Sequence, residues 1–243
     1  MKGNAPPLFT PENQTSLVKG IFSTIAEQYD FLNHFLSFGQ DIVWRRRTVQ
    51  NMKFTKTGRC LDVATGTGDI ALAVAKKYPD VSITGIDFSA AMIEIAKKKA
   101  VNIKRANNIT FQWGDATQIE FPDNSFDVAI IAFGIRNIPD KAKALREMTR
   151  VVVPGGQVMV LEMVSQQNRF FKKVYQTYLC YGLPFLAGLF SSNKKAYHYL
   201  SNSIIRFPST AEFCQLMEQS GLKVEKTISM TFGITRLFIG IKL

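Results

Sequence analysis

Histidine and cysteine are scarce in this chain, acidic residues are outnumbered, and long apolar runs are missing. Each shortage removes a class of function. The two histidines, His34 and His198, are far apart, and the three cysteines, Cys60, Cys180 and Cys214, are odd in number and scattered. Neither a disulfide framework nor a metal cluster follows, so no metal site is expected and a reducing compartment is the default. No apolar run approaches the ~20 residues needed to cross a bilayer. The opening residues, MKGNAPPLFTPENQ, hold no apolar core of the kind a secretory leader carries. The expectation is a cytoplasmic protein, with any membrane contact made peripherally from the inner face.

The acidic shortfall is 19 residues against 30 basic ones, a net charge of +11. Such a surplus suits a nucleic acid, an anionic membrane face or an acidic substrate. The basic residues gather at WRRR (44–47), AKKKA (96–100), RFFKK (169–173) and SNKKAYHYL (192–200). No run is long enough to read as a disordered nucleic-acid tail. A solvated cationic surface explains them as well as a membrane contact does.

What is present is the composition of a globular domain, 46% apolar and 20% charged. Helical spacing runs from about residue 16 to 47, with Phe22, Ile25, Tyr29, Leu32 and Phe35 three and four apart. Strand and helix patterns then alternate. RCLDVA (59–64), SITGID (82–87), ITFQWGDA (109–116), FDVAIIAFG (126–134) and QVMVLEM (157–163) read as strands, with helices between most of them and a turn at PGG (154–156). Such alternation implies parallel pairing through right-handed crossovers. A helix over 210–222 and two strands joined at TFGI end the chain. The expected fold is α/β, a mostly parallel seven-stranded sheet with a C-terminal antiparallel hairpin. That is the Rossmann-like layout of class I S-adenosylmethionine-dependent methyltransferases. Residues 1–50 form a helical extension and 51–243 the main domain. An aromatic insertion at 164–209 is expected over the carboxyl ends of the strands, where open α/β sheets bind ligands.

The stretch LDVATGTGDIAL (61–72) holds Gly66 and Gly68 between a strand and a helix. Glycines there let backbone approach a ligand, and the helix offers its first amides. The G-x-G-x-x-A spacing alone fits a dinucleotide equally well. Carboxylates decide between the two: Asp62, Asp69 and Asp87 would repel a pyrophosphate yet suit a cationic sulfonium ligand. Asp87 closes the second strand, where it can accept from ribose hydroxyls, and Asp115 with Ala116 in GDA (114–116) can read an adenine edge. Phe88 either flanks that adenine or packs in the core. Asp62 either meets the ligand or caps the amides of its own turn. The expected cofactor is S-adenosyl-L-methionine.

YDFLNHFLSFGQDIVWRRR (29–47), LDVATGTGD (61–69), FPDNSFDVAIIAFGIRNIPDKAKALREMTRVVVPGG (121–156) and YHYLSNSIIRFP (197–208) together resemble the ubiquinone/menaquinone biosynthesis C-methyltransferases. The likeness runs from about residue 20 to the C-terminus. It implies methylation of a ring carbon of a polyprenylated quinol, demethylmenaquinol ahead of a benzoquinol. It also places cofactor contacts on Thr67, Asp87, Asp115 and Ala116. Two positions depart from the pattern. Ala132 stands where many relatives have serine, and Ala64 where generic methyltransferases often have a first glycine.

Carbon methylation needs an electron-rich ring, so the acceptor should be the reduced quinol, whose phenolate pushes charge onto the adjacent carbon. In GIRN (134–137), Arg136 is the candidate to stabilise that phenolate or orient a proton-accepting water, unless it is spent on a salt bridge. Asn137 would position the same water or a quinol oxygen. Tyr29, Asp30, Phe133 and Tyr199 are candidate substrate contacts. Aromatics at 22–38 and 170–190, with Lys172, Lys173, Lys194 and Lys195, suit a polyprenyl tail at an anionic leaflet. Core packing or a homodimer interface would use the same residues. A nicotinamide oxidoreductase shares the glycine turn but predicts no terminal hairpin. An RNA-modifying methyltransferase would carry an N-P-P-Y-like tetrapeptide where this chain has AFGIRN, so no nucleic-acid partner is expected.

Overall fold

The computed structural model describes residues 29–101, 108–164, 175, 177, 178, 182 and 194–243, except the side chains of 29, 32 and 194–198. Strands β1 (Arg59–Val63), β2 (Ser82–Asp87), β3 (Ile109–Trp113), β4 (Phe126–Ala132) and β5 (Val152–Met163) alternate with helices α3 (Asp69–Lys77), α4 (Ala90–Val101) and α5 (Lys141–Val151). They join β6 (Leu222–Met230) and β7 (Thr235–Lys242) in one sheet of order β3-β2-β1-β4-β5-β7-β6. The first five strands pair in parallel; β7 runs antiparallel between β5 and β6. The expected fold is therefore present. One boundary differs: PGG does not precede β5 but lies inside it. Phe126 already pairs with Val152, and the ladder resumes at Val128–Gln157 after an irregularity that absorbs the glycines.

The central strands are apolar on both faces because both are covered. On one face Leu61, Val63, Ala129, Ile131 and Val160 pack against Leu145 and Met148 of α5 and Phe213 and Met217 of α7 (Thr210–Gln219). On the other, Cys60, Ile83, Val128, Ile130 and Met159 meet Ile70 and Val74 of α3, Ile93 of α4 and Trp44 and Val49 of α2 (Gln40–Gln50). Each such fully buried aliphatic or aromatic side chain contributes roughly 1.5–3 kcal/mol. The N-terminal segment is thus not merely appended, since Trp44 is 3% exposed in the core of the sheet.

The expected helix through residue 47 is broken. α1 (Tyr29–Leu36) ends where the Gly39 amide bonds back to the His34 carbonyl, with Gly39 at φ 72, and α2 then starts at Gln40. α6 (Lys194–Ile205) follows the tract 165–193, most of which lies outside the described residues, as do residues 1–28. The aromatics at 22–28 and nearly all of those at 170–190 therefore have no structural account. No helix among the described residues is long and apolar enough to cross a membrane.

Candidate active site

Strand order reverses between β1 and β4: β2 and β3 lie to one side of β1, β4 and β5 to the other. That reversal leaves a crevice outside the carboxyl ends of the strands. A cleft of about 460 Å³ occupies it, lined by the ends of β1, β2, β3 and β4 and the start of α5.

The β1 end supplies Ala64 and Gly66. Ala64 has φ 52, in the left-handed region, which costs an alanine about 1 kcal/mol and explains why glycine is the usual occupant. Gly66 (φ 57) and Gly68 (φ 85) complete the turn. A Cβ on Gly68 would come within 2.8 Å of the Phe111 ring, so both backbone angle and packing require glycine there. Asp62 holds the turn from beneath, accepting from the Thr65 hydroxyl at 2.6 Å and the Ala71 amide at 3.2 Å. It is 1% exposed, and burial pushes its carboxyl up to about 7. Its position is that of a turn-capping residue, not of a cleft wall.

Thr67 and Asp69 lie on the outer side of the same turn, in a charged cluster. Thr67 donates to Asp30 of α1 at 2.6 Å, and Lys99 of α4 reaches Asp30 at 2.8 Å and also Asp69. Arg45 of α2 lies 3.4 Å from Asp69 and also pairs with Asp41. Burial would raise the Asp41 carboxyl, but Arg45, the Ser37 hydroxyl and His34 together hold it below the usual range. Asp30 thus ties α1 to the glycine turn. Tyr29 opens the same helix, and its side chain lies outside the described residues.

Asp87 faces the cleft. Its two oxygens accept from the Gly66 and Ser89 amides, each at 2.9 Å, and burial raises its pKa against those bonds. Phe88 and Met92 continue this wall. From β3 come Trp113, Gly114, Asp115, Ala116 and Thr117. Asp115 accepts from the Thr117 amide at 2.7 Å and hydroxyl at 2.9 Å. From β4 come Ala132 and Phe133, the latter at φ 56 with the Trp44 ring 6.0 Å away and the Arg45 guanidinium over it at 5.7 Å.

Past Phe133, a 3-10 turn (Ile135–Asn137) sends its two polar residues to different places. Asn137 lines the cleft, and its Oδ1 accepts from the Tyr199 hydroxyl of α6 at 3.1 Å. Arg136 is 8% exposed; its Nη1 donates to Glu162 Oε1 at 2.5 Å and to the Phe133 carbonyl at 2.6 Å. Glu162, fully buried on β5, also accepts from the Arg136 and Met163 amides. Arg136 therefore sits behind the turn. With Lys141, Tyr199 and Arg206 it lines a neighbouring cavity of about 170 Å³ instead of the cleft.

Of the candidate residues, the cleft brings together Gly66, Asp87, Phe88, Asp115, Ala116, Ala132, Phe133 and Asn137. It does not include Asp62, Thr67, Gly68, Asp69, Asp30, Arg136 or Tyr199 in its lining. Met92, Trp113, Asp140 and Lys143 line it without having been anticipated. Asp140 was legible as the N-cap of α5, where it accepts from the Lys143 amide; that one turn also brings Lys143 to the rim. Among the described residues the cleft's acidic side chains are thus Asp87, Asp115 and Asp140, and its basic one is Lys143. Those groups suit a ligand with hydroxyls, an amine and positive charge, and disfavour a pyrophosphate. Among the described residues no cluster could hold a metal.

Solved structures share this architecture. A possible histamine N-methyltransferase of Thermotoga maritima superposes with a TM-score of 0.66 at 21% identity, covering 92% of this chain and 99% of that one. The [4+2]-cyclase SpnF gives 0.68 at 17% identity, covering 93% and 94%. Likeness at this identity establishes the fold alone, and the two named reactions differ. Sequence relatives are nearer. A ubiquinone/menaquinone biosynthesis C-methyltransferase UbiE of Geotalea daltonii is 46% identical over 93% of this chain and 96% of its own. A demethylmenaquinone methyltransferase of Thermus thermophilus is 42% identical over 90% and 99%. The model of the ubiE/COQ5 methyltransferase family matches residues 10–242. With a methyltransferase sheet, a cleft at its switch point and a match over nearly its whole length, the chain belongs to the ubiE/COQ5 methyltransferase family.

Proposed function

We propose that the cleft binds S-adenosylmethionine between β1, β2 and β3 and a polyprenylated quinol against β4, and that the enzyme methylates a ring carbon of demethylmenaquinol. The observation that carries this reading is one cavity with carboxylates at one end, Asp87 and Asp115, and an oriented amide at the other, Asn137. The relatives' names supply the substrate class.

The cofactor, when bound, supplies an electrophilic methyl group. The chain's own residues hold and polarise the acceptor. Tyr199 fixes the Asn137 amide through Oδ1, so its Nδ2–H₂ is the end that can donate to a quinol oxygen and favour the phenolate. Arg136 acts through the turn: anchored on Glu162, it holds Asn137 at the cleft wall. Alignment of the ring carbon then does the remaining work. Exposed Phe38, Ile42 and Val43, beside exposed Arg46 and Arg47, form an apolar surface with a basic rim, suited to an anionic bilayer holding the tail.

The test is a labelled-methyl transfer assay in anionic vesicles containing short-tailed demethylmenaquinol, its oxidised quinone, or a demethylated benzoquinol. Transfer to the reduced naphthoquinol, weakening with added salt, is expected. Transfer to the oxidised quinone alone would overturn the phenolate mechanism. Preference for the benzoquinol would move the enzyme to the other branch of the substrate class.

A further inference from the structure

Behind the 3-10 turn lies a cavity that the proposed reaction does not use. Its volume is about 170 Å³, and among the described residues it shares no lining residue with the cleft; the turn gives Asn137 to one and Arg136 to the other. At liquid density that is room for about five waters, enough for a small oxyanion. One wall is a single helical face at the end of α6, where Asn202, Ser203 and Arg206 follow Tyr199 at helical spacing. The floor is buried and the mouth is open: Tyr199 is 7% and Arg136 8% exposed, whereas Asn202 and Arg206 are exposed.

The lining is a set of donors. The Tyr199 hydroxyl donates to Asn137 Oδ1, and that of Ser203 to the Leu200 carbonyl at 2.7 Å. Beyond those bonds the groups around the space are cationic or amide: Lys141, Arg206 and Asn202, above Arg136. Among the described residues no acidic side chain lines it. Glu162, the carboxylate behind Arg136, accepts from that guanidinium and from two backbone amides. Lys141, half-buried at the start of α5, uses one ammonium N–H on the Ile138 carbonyl at 2.9 Å and forms no ion pair among the described residues. Burial pulls its pKa down although Glu162 pulls it up, so its charge is held at a cost that a bound anion would offset.

We infer that this cavity is an anion site, which binds a phosphate-class oxyanion between Lys141 and Arg206 with Asn202 at its mouth. A flat prenylated ring suits it poorly, since Phe207 and the Tyr199 ring are its apolar surface, and a cation is repelled. The oxyanion comes either free from solution or as the headgroup of a phospholipid.

Inorganic phosphate is titrated into the enzyme by calorimetry at fixed ionic strength, so that screening does not pass for binding. Saturable binding of one phosphate per chain is expected, unchanged by saturating S-adenosylhomocysteine. Lys141→Gln should weaken it roughly 10- to 100-fold, the worth of a hydrogen bond from a charged group. Arg206→Gln, at an exposed position that leaves the fold intact, should weaken it about 2- to 5-fold. Vesicles containing phosphatidic acid separate the two sources: they displace soluble phosphate if the site takes a headgroup, and leave it bound if the ligand is free phosphate.

Absence of saturable phosphate binding, or undiminished affinity in both variants, would overturn the site. Displacement of phosphate by S-adenosylhomocysteine would move the anion into the cleft beside Lys143. Displacement by short-tailed demethylmenaquinol would give the cavity to the acceptor. Either of these would overturn the inference and leave the cofactor reading standing.

Discussion

The two ends of the cleft are built by different means. At the β1–β3 end, short loops present backbone amides and carboxylates, and each cleft or turn carboxylate has a partner a few positions away, Asp87 also accepting from Gly66 on the neighbouring loop. Asp87 accepts from Ser89, Asp115 from Thr117, and Asp62 from Thr65. At the β4 end, support comes from far along the chain. Asn137 is held by Tyr199 from α6, and Arg136 by Glu162 from β5. The first end is local and polar; the second depends on a buried ion pair and a helix laid over the sheet. Damage to the second should therefore spread into stability, whereas damage to the first should stay in ligand affinity.

Glu162→Ala should produce the largest effect. The carboxylate is fully buried, and its removal leaves the Arg136 guanidinium inside without its counter-charge and two backbone amides without an acceptor. Breaking such a pair costs roughly 3–5 kcal/mol, equivalent to about 6–20 °C in melting temperature for a chain of this size. Calorimetric melting checks it. Replacing both partners, Glu162→Leu with Arg136→Met, should recover most of the loss, because neither charge is then stranded. A single variant that melts within a degree or two of the wild type would mean that the two ends are equally local.

Asp87→Asn should come next and should act on binding. The substitution turns one acceptor oxygen into a donor facing an amide and removes the charge available to ribose hydroxyls. A hydrogen bond to a charged group is worth about 1.5–3 kcal/mol, so affinity for S-adenosylhomocysteine should fall roughly 10- to 100-fold by calorimetry. Unaltered affinity would place the cofactor away from β2.

The same contrast governs what could be read from the sequence. The alternation of strands and helices, the glycine turn and the carboxylates at 87 and 115 follow from spacing within a few residues, and each lies on the element that the pattern implies; the order of the strands across the sheet comes from the structure. Asp62 and Asp69 were also visible, but sequence could not say which side of the turn each takes. Asp62 goes beneath it to cap Ala71, and Asp69 goes outward to Lys99 and Arg45. Arg136 was visible as a charged residue at a strand end, yet its partner lies on the neighbouring strand, β5. Only the β4–β5 pairing brings Glu162 beneath the turn, so the possibility of a salt bridge was legible and its partner was not. Trp113 escaped because a tryptophan at a strand end reads as core until the sheet's edge and the cleft are both in place.

Tyr199→Phe tests the comparison most finely. It deletes one neutral hydrogen bond, the 3.1 Å contact that orients the Asn137 amide, and keeps the ring that packs α6 over the turn. Such a bond contributes about 0.5–1.5 kcal/mol. If it matters mainly for holding the amide against a developing phenolate, kcat should fall about 2- to 10-fold while calorimetric affinity for S-adenosylhomocysteine stays put. A melting temperature that also stays put would separate this from the Glu162 effect, since Asn137 borders the cleft and losing one neutral bond strands no buried charge. A loss confined to cofactor affinity would instead join the β4 turn to the cofactor end, and the division of the cleft into a local half and a long-range half would fail.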